Sequence, residues 1–348
     1  MKAAVLYKDY DIRYEEVAEP VVQPGYVKIK VCACGVCGSD IPRLTAGKAH
    51  YYPIVLGHEF SGYVAEVGEG VTSLKKGDHV VAAPLIPCMK CRDCAQGNYS
   101  QCKHYTFIGS RIQGGYGDYV VLPEINAVKI DEAIPYEQGA LFEPSTIALH
   151  GVRCADYQGG KTVAVLGAGT IGLFTMQWAK ILGAKRVVVF DLDEGQLQVA
   201  KRLGADAVVC TRDEDFMANA LEYTDGVGYD YVFEAAGSPV TIRMAFELVA
   251  NHGNVCMIGT PSQDVTFTPQ LWEQLNRKEF RLTGSWMSGG APYPGDEWTL
   301  TAHCFATGQL KYDEGIFYRK IPLCKPEEFI AVLQDRQKIK GRILLVNG

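Results

Sequence analysis

The sequence predicts an α/β fold in two domains, one β-rich and the other built on a doubly wound parallel sheet. Three observations carry this expectation. The chain has 348 residues, more than one ordinary hydrophobic core organises. Residues 1–130 hold short β-type runs separated by Gly, Pro and Asn. From Lys161 onward, β-branched runs alternate with helical stretches, the pattern of parallel strands joined by crossover helices.

Taken in order, "YVKIKV" (Tyr26–Val31) alternates as a half-buried strand does, and "SGYVAEVG" is strand-like. "KKGDHVVAA" reads as a turn leading into a strand, and "YGDYVVLPEINAVKI" adds further strand signals, so a partly open β-barrel is expected. A helical stretch then runs through "YEQGALFEPSTIALHGVRC", with an interruption expected near Pro144. "TVAVLG" and "RVVVF" flank the helical "IGLFTMQWAKILG". Four more strands are expected at "DAVVC", "YDYVFEAAG", "NVCMIG" and "FRLTGS". The C-terminal part carries helix signals in "DEWTLTAHCFATGQ" and "PEEFIAVLQDRQ" and closes with "GRILLVN". The simplest division inserts a nucleotide domain, residues 154–284, between residues 1–153 and 285–348, which together form the other domain.

Composition narrows the function classes. Hydrophobic residues make up 47% and charged residues 21%, as in a soluble globular protein. The formal net charge of -6, without a basic run, argues against a nucleic-acid surface. The N-terminus "MKAAVLYKDYDIRYEEV" has acidic residues where a signal peptide needs an apolar core, and no apolar run has the length of a membrane span. A cytoplasmic protein without membrane partners is expected.

Twelve cysteines suggest disulfides only in a short secreted chain, which this is not. Four of them crowd one polar loop, "PCMKCRDCAQGNYSQC". Cys88, Cys91, Cys94 and Cys102 there have a spacing that can set four thiolates around one tetrahedral zinc. Unrelated buried thiols would not crowd a polar loop in this way. A tetrathiolate site has no open position, so its expected role is to hold a lobe together.

"VAVLGAGTIGLF" places Gly167, Gly169 and Gly172 between an expected strand and an expected helix. Glycines there permit a tight turn, close approach of a pyrophosphate and close helix–strand packing, with the phosphates at the helix N-terminus beside Thr170 and Ile171. A glycine triplet alone is also an ordinary turn. Asp191, at the end of the next strand, stands where an acid binds the ribose 2′-hydroxyl, and no arginine follows at once to receive a 2′-phosphate. NAD is therefore expected over NADP.

Three further motifs remain. "GVCGSD" holds Cys37 in a glycine-flanked turn, "LGHEF" offers His58 and Glu59, and "LFEPST" sets Glu143 beside a proline. Singly, each reads as a buried thiol, a satisfied histidine or a surface carboxylate. Together they supply soft and harder ligands for a zinc with an exchangeable position. Such a zinc lowers the pKa of a bound alcohol, whose hydride then passes to nicotinamide. Ser39 is either the start of the proton path or a turn cap.

These motifs, in this order along nearly the whole chain, resemble the zinc-dependent medium-chain dehydrogenases. The resemblance implies a GroES-like catalytic domain, a Rossmann domain, a cleft between them, and a homodimer or homotetramer. It makes Cys37, His58 and Glu143 ligands of a catalytic zinc, with Glu59 a ligand or close neighbour. Cys88, Cys91, Cys94 and Cys102 become the ligands of a structural zinc. Glu143 stands where the alcohol dehydrogenases of that family carry a cysteine, and their relay histidine five residues after Cys37 is lacking. Both departures resemble the polyol branch.

"AHYYPIVLGHEFSGY", "FIGSR" and "GSWM…PGDEW" resemble the polyol-phosphate enzymes of that branch. They imply oxidation of a sugar-alcohol phosphate of the galactitol 1-phosphate kind to a ketose phosphate. Arg43 and Arg111 are then the candidate phosphate ligands, with Lys48 a weaker one and an ordinary surface role the alternative for each. The competing substrate is an unphosphorylated, sorbitol-like polyol or a threonine-type compound. A zinc-ribbon binding protein and a zinc-free quinone reductase are rival classes. The acidic charge and the dinucleotide motif oppose the first, and the Cys37–His58–Glu143 set opposes the second.

Overall fold

The computed structural model describes residues 1–261, 263–335 and 338–347, which divide into two compact units. One comprises Met1–Glu143, Ser288–Thr307 and the described residues from Phe317 onward. The other comprises Pro144–Met287 and Gly308–Ile316. No described helix is long and apolar enough to cross a membrane.

Nine strands of the first unit precede residue 130: β1 (Lys2–Lys8), β2 (Asp11–Glu16), β3 (Tyr26–Val36), β4 (Glu59–Val67), β5 (His79–Ala82), β6 (Leu85–Ile86), β7 (Thr106–Phe107), β8 (Tyr119–Pro123) and β9 (Ala127–Lys129). The second unit supplies β10 (Thr162–Leu166), β11 (Arg186–Asp191), β12 (Ala207–Cys210), β13 (Tyr229–Glu234), β14 (Val249–Met257) and β15 (Arg281–Gly284). The chain ends with β16 (Phe317–Pro322) and β17 (Arg342–Val346), back in the first unit.

Helices α1 (Ile41–Thr45), α2 (Arg92–Ala95) and α3 (Tyr136–Gly139) belong to the first unit, and the unit boundary falls within α4 (Phe142–Cys154). Helices α5 (Thr170–Ile181), α6 (Glu194–Leu203), α7 (Phe216–Glu222), α8 (Pro239–Leu248), α9 (Pro269–Trp272) and α10 (Gln274–Lys278) lie in the second. The last two, α11 (Asp296–Ala306) and α12 (Pro326–Gln334), return to the first. Arg336 and Gln337, the end of the "PEEFIAVLQDRQ" signal, lie outside the described residues.

The expected barrel is a seven-stranded sheet, β16-β17-β3-β4-β5-β9, with β8 also paired to β3. β3 is its centre because its apolar residues face a core that also receives β4, β8 and β17. Val27, Ile29, Phe60, Val64, Leu122, Ile343 and Leu345 meet there, each almost fully buried. Burying each such side chain contributes about 1.5–3 kcal/mol. The pairing of β17 with β3 runs antiparallel with Ile343 opposite Val36, so the C-terminal strand closes beside the end of β3.

The second unit is the expected doubly wound sheet, all parallel, in the order β12-β11-β10-β13-β14-β15. Ala164, Leu166, Val188, Phe190, Val232 and Val255 pack with Phe246 of α8 in one core. Asp193 caps α6 by accepting from the Gln196 amide at 3.0 Å, and Gly204 ends it in a left-handed conformation at φ 109.

One expectation fails locally. The helix is not interrupted at Pro144: the break falls at Ala140–Leu141, and Pro144 sits in the first turn of α4. There its missing N–H has no intrahelical partner to lose.

Candidate active site and metal centres

The register of β3 against β4 builds the first site. Gly35 lies opposite Glu59, so Cys37, just past the end of β3, stands beside His58, just before β4 begins. Ligand atoms of Cys37, His58 and Glu59 all fall within 4.8 Å of one another. Gly35 makes room for this: a Cβ there would sit 2.4 Å from Glu59 Oε2. Glu143, at the start of α4, joins the same buried group. Burial pushes its carboxyl up to about 7, with the His58, Cys37, Arg342 and Asp40 charges acting on it as well.

The neighbours of these residues fit a bound cation. Glu59 is 1% exposed, and Arg342 Nη1 approaches its Oε1 at 3.0 Å, an ion pair without the alignment of a hydrogen bond. Neither carboxylate oxygen of Glu59, nor His58 Nδ1, has a hydrogen-bond partner among the described residues. Fully buried polar atoms left so are costly unless a ligand completes them. Burial alone would raise the Cys37 thiol, but the adjacent His58 and Arg342 hold it well below its ordinary range, toward the thiolate a metal needs. One thiolate, one imidazole and carboxylates suit zinc, with room for an exchangeable ligand.

Three residues of this centre carry no local sequence signal. Asp40 is completely buried, lies 3.5 Å from His58 Nδ1, and accepts from Tyr116 Oη at 3.3 Å. Arg342 reads in sequence only as the first residue of a strand. Its part follows from the β17–β3 pairing, which no local pattern announces.

Ser39 is exposed, with its amide 3.5 Å from Cys37 Sγ and its Oγ accepting from Arg43 Nη1 at 3.1 Å. Arg43, in α1, also donates to Ser39 O at 2.6 Å and to Asp40 Oδ1 at 3.3 Å, while its buried Nε has no hydrogen-bond partner among the described residues. Arg111 is exposed and stacks on Tyr105, 4.5 Å from the ring centroid. Burial lowers the His50 pKa, and the charges of Arg111 and Arg43 lower it further, so both arginines act on one small region. Lys48 is exposed.

The four-cysteine lobe follows β6. Sγ separations are 3.5 Å for Cys91–Cys94, 3.8 Å for Cys91–Cys102 and 4.0 Å for Cys88–Cys94. Thiolates at tetrahedral corners about 2.3 Å from a zinc stand roughly 3.8 Å apart, so the set fits that ion. None of the chain's cysteines is in a disulfide. The Cys94 amide draws the Cys91 thiol down to about 6, as an anionic ligand requires.

The second unit holds the glycine motif where the sheet can use it. Gly167, at φ 102, makes the turn out of β10, and Gly169 caps α5, whose first residues are Thr170 and Ile171. A Cβ on Gly172 would collide with Gly167 O at 1.8 Å, so helix and turn can only pack this closely around glycine. A Cβ on Gly169 would meet no protein atom within 4 Å. That open space beside a helix N-terminus is what a pyrophosphate needs. Asp191 ends β11, its Oδ2 accepting from Ala168 N at 2.6 Å and its Oδ1 from Asp193 N at 2.8 Å.

Residues 23–132 match the alcohol dehydrogenase GroES-like domain and residues 170–303 the zinc-binding dehydrogenase family. The chain is 36% identical to galactitol 1-phosphate 5-dehydrogenase of Escherichia coli K12, over 99% of this chain and 100% of the relative. A crystal structure of galactitol-1-phosphate dehydrogenase from Escherichia coli superposes with a TM-score of 0.92, covering the same shares of each chain. Sorbitol dehydrogenase of Bacillus subtilis is 33% identical over 76% of each chain. A zinc-binding dehydrogenase from Sinorhizobium meliloti, bound to NADP, is 30% identical with a TM-score of 0.89, over 99% of this chain and 98% of that one. With these similarities and both centres in place, the chain belongs to the zinc-dependent medium-chain alcohol dehydrogenases, oxidoreductases whose cofactors are zinc and NAD(P).

Proposed function

We propose that this enzyme oxidises a sugar-alcohol phosphate of the galactitol 1-phosphate kind to a ketose phosphate, with NAD as hydride acceptor. The observation that supports the phosphate is that the charges of Arg43, in the segment that leads away from Cys37, and of Arg111 both act on His50. Arginine forks suit a phosphate because each can hold two of its oxygens. The full-length similarity to galactitol 1-phosphate 5-dehydrogenase supports the same reading.

In this reading Cys37, His58 and Glu143 hold the catalytic zinc, with Glu59 as ligand or neighbour, and the four lobe cysteines hold the structural one. Bound zinc supplies a Lewis acid for the substrate hydroxyl, and the nicotinamide accepts the hydride. The chain's own residues do the rest. Arg342 holds the Glu59 carboxylate in place, and Ser39 Oγ takes the hydroxyl proton toward solvent, its orientation set by Arg43. Gly167, Gly169, Thr170, Ile171 and Gly172 seat the pyrophosphate. Asp191 accepts from the adenosine ribose, and the acidic Asp193 and Glu194 beside it disfavour a 2′-phosphate. The coenzyme domain is assigned to residues 154–284 and the catalytic domain to 1–153 and 285–348. A homodimer or homotetramer is expected, for which exposed Leu282 and Trp286 at edge strand β15 offer apolar surface.

An unphosphorylated polyol is the second reading. It is favoured by the commitment of Arg43 Nη1 to Ser39 and Asp40, and by the similarity to sorbitol dehydrogenase. The deciding experiment compares kcat/KM for galactitol 1-phosphate, galactitol, sorbitol and threonine, followed by NADH absorbance. A preference for the phosphorylated compound supports the proposal. A preference for a free polyol or threonine overturns it.

A further inference from the structure

Glu234, the last residue of β13, is fully buried, and hydrogen-bond donors of the following turn and of α8 surround its carboxylate. Three donors converge on its Oε1: Thr241 Oγ1 at 2.7 Å, Gly237 N at 2.9 Å and Ala236 N at 3.0 Å. Its backbone carbonyl accepts from Ile258 N at 2.8 Å and Gly259 N at 2.9 Å. One residue thus ties the turn after β13 to the segment after β14. Burying a carboxylate is costly even when donors surround it.

The location gives the cost a use. The strand order reverses between β10 and β13, and doubly wound sheets bind ligands outside the carboxyl ends of the strands at such a reversal. Leu166, ending β10, pairs with Glu234, ending β13, and Ala235 N donates to Leu166 O at 2.9 Å. A Cβ on Gly167 would lie 3.0 Å from Ala236 Cβ. The turn Ala235–Ser238 therefore abuts the glycine turn as a second wall of the same crevice.

We propose that Glu234 is a positioning residue for the coenzyme. By holding Ala235–Ser238 rigid against the glycine turn, it sets the affinity for the dinucleotide while leaving hydride transfer nearly untouched. This rests on the reading of the Gly167–Gly172 motif as the dinucleotide site.

The test titrates the zinc-loaded, full-length enzyme with NADH by fluorescence and measures kcat at saturating NAD. Glu234→Ala should raise the NADH Kd roughly tenfold or more, as expected when several buried donors lose their acceptor. At saturating NAD its kcat should stay within about threefold of wild type, since the reacting groups are untouched. Glu234→Gln, which keeps one acceptor oxygen, should restore most of the affinity. Thr241→Val removes a single donor and leaves the carboxylate, so it should fold even where the alanine variant does not, and should weaken NADH binding several-fold.

Unchanged NADH affinity in Thr241→Val and in whichever Glu234 variants fold overturns the proposal, as does a loss confined to kcat. Gly169→Val separates the premises, since its side chain enters open space in the protein and blocks only the pyrophosphate. Normal NADH binding by that variant sinks the dinucleotide reading itself. Loss there, with Glu234 variants unaffected, sinks only the positioning role.

Discussion

Arg342 Nη1 lies 3.0 Å from Glu59 Oε1, joining the first residue of the last strand to the first residue of β4 inside the metal centre. Both side chains are buried, at 7% and 1% exposure, and the guanidinium also donates to Val36 O at 3.1 Å. Removing the cation leaves an uncompensated carboxylate out of water. Arg342→Met should therefore cost about 3–5 kcal/mol of stability, and the companion Glu59→Gln change should recover part of it. Denaturant unfolding of the single and double variants checks this. Additive losses would show that the pair is not coupled.

Metal removal should separate the two centres. Four thiolates enclose one ion completely, whereas the Cys37–His58–Glu143 centre has harder ligands and an open position. Mild chelation should release the second metal first, abolishing activity while circular dichroism stays native. Full activity with one metal ion per chain would contradict this assignment.

Coenzyme choice should rest on Asp191. Its two oxygens already accept from Ala168 N and Asp193 N, which fixes the carboxylate at the end of β11. Asp191→Ala should lower kcat/KM for NAD by about tenfold or more, the value of a charge-assisted hydrogen bond, and change NADP turnover far less. Equal use of NAD and NADP by the wild type would remove that role.

Phosphate recognition should divide between Arg43 and Arg111. Loss of either charge-assisted contact should cost about 1.5–3 kcal/mol, roughly ten- to a hundredfold in kcat/KM, for phosphorylated substrates only. Arg111→Ala is the cleaner variant, because Arg43 also braces Ser39 and Asp40 and its removal can lower turnover of every substrate. Equal losses on phosphorylated and free polyols in Arg111→Ala, or none, would exclude Arg111 from the phosphate site.

Local chemistry made much of this legible in the chain alone. The parallel sheet announced itself through short β-branched runs such as Val187–Phe190, because a strand covered on both faces has no polar side to interrupt it. The glycine turn and the cysteine loop were readable because each gathers its chemistry within a few residues of one another. The β1–β2 hairpin and β16 carry no such local signal; Lys320 and Arg319 make β16 look like surface, and its pairing with β17 decides its state. The break before α4 falls earlier than Pro144 suggests, because a proline in a first helical turn carries the same letter as one that ends a helix. What only the tertiary structure decided was the company each residue keeps. Cys37, His58 and Glu143 are separated by long stretches of chain, and the β3–β4 register and the burial of the start of α4 bring them together. Arg342 reaches Glu59, and Glu234 the glycine turn, through strand pairings that span most of the chain or half a domain. A side chain's type is written locally, but its field, its burial and its partners are sums over neighbours that no window of the sequence contains.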